Sequence, residues 1–370
     1  MRKNIKITML IILIAVLILS LSACEKTEKI SLTIVGKKST FYNEYDIPKY
    51  NKQDIQKLKS YNFSNLHKVN DRLFNDVKNF IESEIEEPIN SEIIVDKQNK
   101  CFNYLDSKKG YKIDEQKLYN SLIESLPSKN IVLTADYVTI DELITKEDNI
   151  NKTILRGSFT TNFNTSSEGR KHNIKLSGTK INGTIINPKE KFSFNEIVGN
   201  RNEENGFKIA KIIANGQFVD GVGGGVCQVS TTLYNACLLS GLNIVSASQH
   251  SLPVSYVKPS YDAMVSSASD LVIENNTDHP IYIFCDVDSS NITFRVYGEK
   301  LTYKIVEESK VTEIVPYTTE FVESGETRIG KNGIKSYLKL IYFSNDKKVF
   351  EKIIRKDYYK PQNEIALALD

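Results

Sequence analysis

Gly221-Val222-Gly223-Gly224-Gly225-Val226-Cys227 is a glycine-rich run that leads into an apolar segment. After this run, apolar residues recur at three- and four-residue spacing: Val229, Leu233, Ala236 and Cys237. The spacing predicts a helix with one apolar face, and Gly241 is placed to end it. We therefore expect a central helix that carries Cys227 in its first turn.

The predicted position of Cys227 favours a reactive thiol. The start of a helix has unpaired N–H groups and the positive end of the helix dipole, and both stabilise a thiolate. Glycine lets the backbone approach a substrate closely, so the free N–H groups of this run are candidates to hold the oxyanion that forms when sulfur attacks a carbonyl. His250 follows a strand-like stretch and is the candidate general base.

The composition around this run excludes other common sites. No Lys-Ser/Thr pair follows the glycines, so a phosphate-binding loop is excluded. With five cysteines, no Cys-x-x-Cys pair and only four histidines, a zinc site has little support, and we expect no cofactor. The other cysteines of the chain body are predicted to be structural: Cys101, Cys237 and Cys285. Spacing alone leaves open whether Cys227 and His250 act together.

The amino-terminal segment has the pattern of a lipoprotein signal peptide. Three basic residues precede the apolar run 7–21, which ends at Leu21-Ser22-Ala23-Cys24. We expect residues 1–23 to be removed, Cys24 to be lipidated, and the rest of the chain to lie on the extracellular face of the cell membrane. An uncleaved anchor is the alternative, but the run is short for a spanning helix.

Length and charge indicate a modular globular chain. The 370 residues exceed one typical domain, and 40% hydrophobic with 25% charged residues excludes a largely disordered protein. Because 48 basic residues face 46 acidic ones, nucleic-acid binding is disfavoured. We predict a multidomain α+β protein, with these parts after the signal peptide: a tether at 24–30, a mixed α/β domain at 31–156, an α+β domain at 157–300 and a β-rich module at 301–370.

Local patterns give the elements of the flanking parts. Apolar spacing predicts a helix that starts at Ser64 and is stopped by Pro88, and Asp114 is placed to cap a second helix. Residues 92–104 predict a pair of strands. Two further paired strands are predicted at 336–342 and 348–355.

The stretches 223–236 and 250–257, with Asp262-Ala263, closely resemble the VanW family. Supporting matches lie upstream at 192–195 and downstream at 275–277, and the resemblance covers roughly residues 157–300. Two departures fall in loops. Lys189 stands where the family usually has glycine, and Ser260-Tyr261 replaces a glycine-containing pair.

The flanking parts carry resemblances of their own. The segment around 110–114 and the elements after it resemble the peptidoglycan-binding domain that often precedes VanW. Residues from about 303 to the end are similar to a degenerate G5 domain, a β-rich module associated with cell walls. All three domains would then face the same polymer.

The resemblance implies a membrane-anchored peptidoglycan L,D-transpeptidase. In that reaction Cys227 attacks the carbonyl of the third stem-peptide residue, terminal D-Ala leaves, and an amine of a neighbouring stem takes the acyl group. His250 would serve as base, and Asp262 would orient it, with Asn276 as the competitor and a turn-capping role for Asp262 as the alternative. The backbone N–H groups of Gly224 and Gly225, or that of Gln228, would hold the oxyanion. Two other functions stay open: a non-catalytic peptidoglycan-binding scaffold, and a cysteine carboxypeptidase or endopeptidase on the same substrate.

Overall fold

A computed structural model describes residues 26–214, 217–325 and 327–368. The predicted signal peptide and the predicted lipidation site Cys24 lie outside these ranges. Among the helices within them, none is long and apolar enough to cross a membrane.

The described chain alternates short helices with many short strands. The helices are α1 (Lys52–Leu58), α2 (Asp71–Ser83), α3 (Glu115–Ser125), α4 (Lys146–Asn151), α5 (Glu168–Ile181), α6 (Phe194–Val198) and α7 (Val226–Leu239), with a 3-10 helix at Phe63–Lys68. The first strands are β1 (Thr27–Val35), β2 (Thr40–Pro48), β3 (Glu92–Asp96), β4 (Cys101–Leu105), β5 (Gly110–Ile113), β6 (Asn130–Thr134) and β7 (Tyr137–Ile140). The next are β8 (Ile154–Asn162), β9 (Thr184–Ile186), β10 (Lys191–Ser193), β11 (Ile209–Ala214), β12 (Gln217–Val222), β13 (Asn243–Ser246), β14 (Val272–Glu274), β15 (Ile281–Val287) and β16 (Asn291–Gly298). The last are β17 (Lys304–Val315), β18 (Thr319–Val322), β19 (Gly333–Ser344), β20 (Lys347–Tyr359) and β21 (Glu364–Leu367).

These elements form two compact units. The first unit runs to Ser91 and resumes over Asp106–Thr145, and the second comprises Glu92–Leu105 with the chain from Lys146 onward. The chain is thus a mixed α/β protein of several small sheets. The functional domain boundaries given above stay predictions.

The first unit is built on the three-stranded sheet β2-β1-β6, in which β1 pairs antiparallel with β2 and parallel with β6. The predicted single helix from Ser64 is wrong, because the chain forms the 3-10 helix and then α2. The break is at Asn70, whose side chain accepts the Leu73 N–H at 2.9 Å and starts a new helix. The second predicted cap is confirmed, since Asp114 accepts the Lys117 N–H at 3.0 Å.

The second unit is built on the antiparallel sheet β8-β16-β15-β9, against which α7 packs through β8 and β16. The predicted central helix is confirmed, but the expectation of one apolar face is too narrow, because α7 is buried on nearly all sides. Its polar side chains have internal partners: Thr232 bonds Thr161 at 2.7 Å, and Asn235 donates to the Tyr261 carbonyl at 2.8 Å. A helix buried all round fits the centre of a core.

The strands β17, β19 and β20 form a three-stranded sheet, here called the C-terminal sheet. It confirms the two paired strands predicted at 336–342 and 348–355, and both are longer than predicted. Strands β3 and β4 also pair as predicted.

A buried carboxylate fixes the turn between β1 and β2 in the first unit. Glu84 has no exposed surface and accepts three hydrogen bonds: the Lys38 N–H at 2.9 Å, the Ser39 hydroxyl at 2.7 Å and the Tyr137 hydroxyl at 2.6 Å. Burial alone would raise the pKa of Glu84, but these bonds lower it to about 2. The Glu84 carboxyl group is therefore ionised in the folded protein.

We expect Glu84→Gln to destabilise the first unit by about 2 kcal/mol, because hydrogen bonds to a charged group are lost inside the protein. Since the folded pKa is depressed, the contribution of Glu84 is present above its ordinary pKa of 4.5 and is lost as the pH falls toward 2. Urea unfolding at several pH values measures this. Glu82→Gln, at a side chain 59% exposed, is the control and should change little. Equal effects of the two substitutions would contradict this role.

Candidate functional site

The glycines before α7 place its first turn against β11. Gly225 has a φ of 107°, a conformation that glycine adopts without the cost of a side chain. A Cβ on Gly224 would lie 2.6 Å from the Lys211 carbonyl oxygen. The run thus lets the backbone reach a position that larger residues cannot occupy, and Cys227 follows directly in the helix.

His250 and Asp262 form a buried hydrogen-bonded pair. His250 is 5% exposed and Asp262 is 1% exposed. One carboxylate oxygen, Oδ2, accepts both the His250 backbone N–H and the ring Nδ1–H, each at 2.7 Å. Because an ionised carboxylate can only accept, Nδ1 carries a proton, and in the neutral ring Nε2 is then unprotonated.

Cys227 is half-buried and lies beside His250 of this pair. Its thiol donates to the Val265 carbonyl oxygen at 3.3 Å. Burial alone would raise the pKa of Cys227, but hydrogen bonding with His250, the charge of His250, the Val265 backbone and the Arg201 charge together lower it. Burial would likewise lower the pKa of His250, yet hydrogen bonds with Asp262 and Cys227 raise it to about 9. Both shifts favour a thiolate–imidazolium pair near neutral pH.

Helix α7 also holds the segment that carries Asp262. The Ser230 hydroxyl donates to the Ala263 carbonyl at 2.6 Å, and the Thr231 hydroxyl oxygen accepts the Ala263 N–H at 2.9 Å. The residue after Asp262 is thereby tied at both backbone groups to the helix that carries Cys227. This fixes the distance between the thiol and the carboxylate.

Two residues of the C-terminal sheet complete the surroundings of Asp262, and sequence reasoning missed both. The Tyr359 hydroxyl donates to Asp262 Oδ1 and accepts the Ser260 N–H at 2.8 Å. Arg355 donates to the Asp262 carbonyl at 2.8 Å, and its Nη2 lies 3.8 Å from Oδ1. Burial would raise the pKa of Asp262, but the bonds with His250 and Tyr359 lower it. No sequence signal pointed to Tyr359 or Arg355, because residues 301–370 were predicted to form a separate β-rich module.

Of the three predicted oxyanion donors, one is already engaged in the structure and two are available. The Gln228 N–H already donates to the Gly225 carbonyl at 3.0 Å. Its side chain is engaged as well: Oε1 accepts from Arg170 at 2.7 Å, and Nε2 donates to the Asn162 carbonyl at 2.9 Å. The N–H groups of Gly224 and Gly225 have no acceptor among the described residues, so they remain the available donors.

The other candidate residues lie elsewhere. Asn276, the competitor for orienting His250, instead donates to the Gly241 carbonyl at 3.4 Å. Cys237 and Cys285 are buried, and burial raises the pKa of both thiols. Cys101 is exposed on β4. The residues that the structure brings together are therefore Cys227, His250 and Asp262.

Comparison with protein families identifies the segment that holds this site. The family described as VanW like protein matches residues 169–297. The chain contains a VanW-like domain. This domain carries Cys227, His250 and Asp262, whereas Arg355 and Tyr359 lie beyond the matched residues. The match does not extend to the predicted peptidoglycan-binding and G5-like parts, which stay predictions.

Two curated relatives cover the same region. The uncharacterized protein YoaR of Bacillus subtilis is 45% identical over 128 residues, which are 34% of this chain and 42% of YoaR. The vancomycin B-type resistance protein VanW of Enterococcus faecalis is 32% identical over 139 residues, 36% of this chain and 50% of VanW. The chain thus spans about half the length of these relatives. No solved structure matches it significantly.

We expect Cys227 to be alkylated faster than Cys237 and Cys285 near neutral pH, because only its pKa is lowered among these three. His250→Gln removes the largest stabilising partner of the thiolate and should slow this alkylation about tenfold at pH 7. Peptide mass mapping after timed iodoacetamide treatment resolves each cysteine. His279→Gln, at a half-exposed ring, is the matched control. Labelling of Cys227 no faster than of Cys237 would contradict an activated thiol.

Tyr359→Phe should shift the rise of Cys227 alkylation to higher pH and slow it about three- to tenfold at pH 7, or ~0.7–1.4 kcal/mol. The physical reason is that Asp262 loses one of the groups that hold its carboxylate in place, so it orients the His250 imidazolium less well. Tyr358→Phe alters the adjacent, 41% exposed side chain and serves as control. If both variants keep the wild-type pH profile, Tyr359 has no positioning role and only supports the fold.

Proposed function

We propose that this protein is a peptidoglycan L,D-transpeptidase that links third stem-peptide residues through a cysteine acyl-enzyme. The observation that carries the proposal is the Cys227–His250–Asp262 arrangement, in which the pKa of a helix-terminal thiol is lowered beside a buried, carboxylate-oriented imidazole. Such an arrangement is typical of acyl transfer by cysteine. The vancomycin-resistance name of one relative supports a cell-wall context.

Acylation begins with attack by Cys227 Sγ on the carbonyl carbon of the third stem residue. His250 Nε2 already holds the proton in the thiolate–imidazolium pair, and the carbonyl oxygen becomes an oxyanion to which the Gly224 and Gly225 N–H groups can donate. The intermediate then collapses with cleavage of the carbon–nitrogen bond. His250 returns the proton to the leaving D-Ala amine, so a thioester and free D-Ala are the products.

Transfer reverses these roles. The side-chain amine of diaminopimelate in a neighbouring stem attacks the thioester carbonyl, and His250 takes the amine proton. Cleavage of the carbon–sulfur bond releases the new amide and regenerates the Cys227–His250 pair. Asp262 stays ionised throughout and holds the imidazole in one orientation, as the two hydrogen bonds at 2.7 Å allow.

The proposal includes a location for this activity, which the sequence supports. The proposal places the enzyme outside the cell, attached to the membrane through lipid on Cys24, where stem peptides of the wall are its donor and acceptor. The predicted signal peptide is the support for this location.

Incubation of the protein with a tetrapeptide-stem muropeptide should release D-Ala and give an intact-mass adduct equal to the donor without that residue. Cys227→Ala should abolish both, and His250→Ala should slow acylation on the order of a hundredfold, because the general base is lost. An amine acceptor should convert the adduct into a dimer joined between third residues. Cys237→Ala is the matched control, which should cost stability and leave the chemistry intact, since Cys237 is fully buried.

Three results would point elsewhere. Trimmed monomer without dimer in the presence of acceptor indicates a carboxypeptidase. Cleavage inside a cross-linked dimer indicates an endopeptidase. Equal binding of muropeptide by the wild type and Cys227→Ala, with no product from either, indicates a binding module.

A further inference from the structure

Two arginines lie beside Cys227 without an acidic partner. Arg170 on α5 donates through Nη2 to Gln228 at 2.7 Å and through Nε to Ser166 at 3.2 Å. Arg201, in the loop after α6, donates to the Asn195 side chain. Within the described ranges, neither guanidinium has a carboxylate oxygen within 4.0 Å. Sequence reasoning assigned neither residue a role at the site.

Because Arg170 and Arg201 are partly buried, the lack of a carboxylate partner carries an energetic cost. Loss of solvent lowers the pKa of both arginines, although a guanidinium stays charged at any physiological pH. A desolvated cation without a paired anion is costly. The nearest acidic influence on Arg201 is Asp270, whose oxygens already accept the Ser193 hydroxyl at 2.5 Å and the Asn195 N–H at 2.9 Å.

The charge of a Cys227 thiolate compensates the two guanidinium charges only in part. The sulfur raises the pKa of Arg170 and of Arg201, so a thiolate is one anion that the two cations share. In the proposed reaction, however, the sulfur becomes a neutral thioester. During that step a second anion, brought by the substrate, would leave the guanidinium charges compensated.

Unused donors at the same place fit such an anion. Arg201 Nε and the Tyr256 hydroxyl are both buried, and Arg201 Nε has no hydrogen-bond partner among the described residues. The Thr231 hydroxyl lies beside the Tyr256 hydroxyl and lowers its pKa, so the Tyr256 oxygen accepts that contact and its proton is left to donate. The Arg170 guanidinium carbon lies 5.9 Å from the centre of the Tyr256 ring. Burial, followed by the Cys227 charge, raises the pKa of Tyr256, so its phenol stays protonated and can donate.

We propose that Arg201 and Arg170, with the Tyr256 hydroxyl, form a subsite that binds the free C-terminal carboxylate of the donor peptide. Guanidinium and carboxylate match in geometry and charge, since two parallel N–H groups can meet two oxygens. This inference rests on the proposed function, in which the departing residue is the last of the donor stem. Its carboxylate is then separated from the scissile nitrogen by one carbon atom, close to the thiol.

The subsite makes the enzyme selective for donors with a free carboxyl end. Two synthetic tetrapeptide-stem donors test it, one ending in D-alanine and the other in D-alanine amide. With the full chain, the acid donor should acylate Cys227 with a kcat/KM roughly ten- to a hundredfold above that of the amide donor, as expected for hydrogen bonds to a charged group. Arg201→Gln should reduce this ratio to near one by slowing the acid donor. Arg295→Gln, whose guanidinium already pairs with Asp286, is the matched control and should keep the ratio.

Arg201 also lowers the pKa of the Cys227 thiol. Comparison of the acid and amide peptides separates this effect from binding of the carboxylate. Loss of thiolate alone slows both donors equally, so an equal fall with an unchanged ratio overturns the subsite. Tyr256→Phe removes only the hydroxyl that would donate to the carboxylate, and it should lower the ratio of acid to amide kcat/KM as well. It keeps the test decisive if Arg201→Gln fails to fold.

Binding without chemistry distinguishes failure of the subsite from failure of the proposed function. Calorimetry with Cys227→Ala should show tighter binding of the acid than of the amide, and Arg201→Gln in that background should remove the difference. Acid preference in binding with no acylation of the wild type supports the subsite and rejects the transpeptidase. Acylation of wild type at equal rates by both donors overturns the subsite and leaves the transpeptidase standing.

Discussion

A single buried carboxylate, that of Asp262, constrains the arrangement of the second unit. It is 1% exposed, and an ionised carboxyl removed from water costs several kcal/mol unless donors replace the solvent. The donors come from His250, which contributes two N–H groups, and from Tyr359 at the end of β20. Satisfying one charge therefore requires the loop that carries His250, the segment after it and the C-terminal sheet to adopt a single mutual position. The lowered pKa of the Cys227 thiol depends on that position, because His250 is its strongest stabilising partner.

The parts of this site that are close in sequence could be predicted, and those that are distant could not. Glycines before an apolar run gave the start of α7 and the placement of Cys227 in its first turn. The pairing of His250 with Asp262 was one of the two options weighed, and the 2.7 Å bond settles the contact. Tyr359 is 97 residues from Asp262 and Arg355 is 93, and no periodicity links strands that far apart. The burial of polar residues around α7 was missed for the same reason, since their partners, such as Thr161, lie on other elements.

The two departures from the family pattern have a backbone explanation. Lys189 and Ser260 both adopt positive φ, at 65° and 67°, which is the region that glycine occupies easily. A residue with a side chain in this region costs on the order of 1 kcal/mol per position. Ser260 has bonds that offset this cost, through its N–H to Tyr359 and its hydroxyl to Ser336 at 2.7 Å. The substitution before Asp262 is thus coupled to the C-terminal sheet.

The long sequence separation between Asp262 and Tyr359 affects the order in which the parts of the site form. A polypeptide emerges from its amino end, so the matched domain, which ends at residue 297, is complete before β20 exists. Contacts between distant segments also form late, since closing a long loop costs entropy first. Until β20 has docked, Asp262 lacks the Tyr359 hydroxyl, and the thiol has not reached its full nucleophilicity. A chain in which β20 has not yet docked would therefore carry a less reactive Cys227, and the thiol would reach its full reactivity only once β20 is in place.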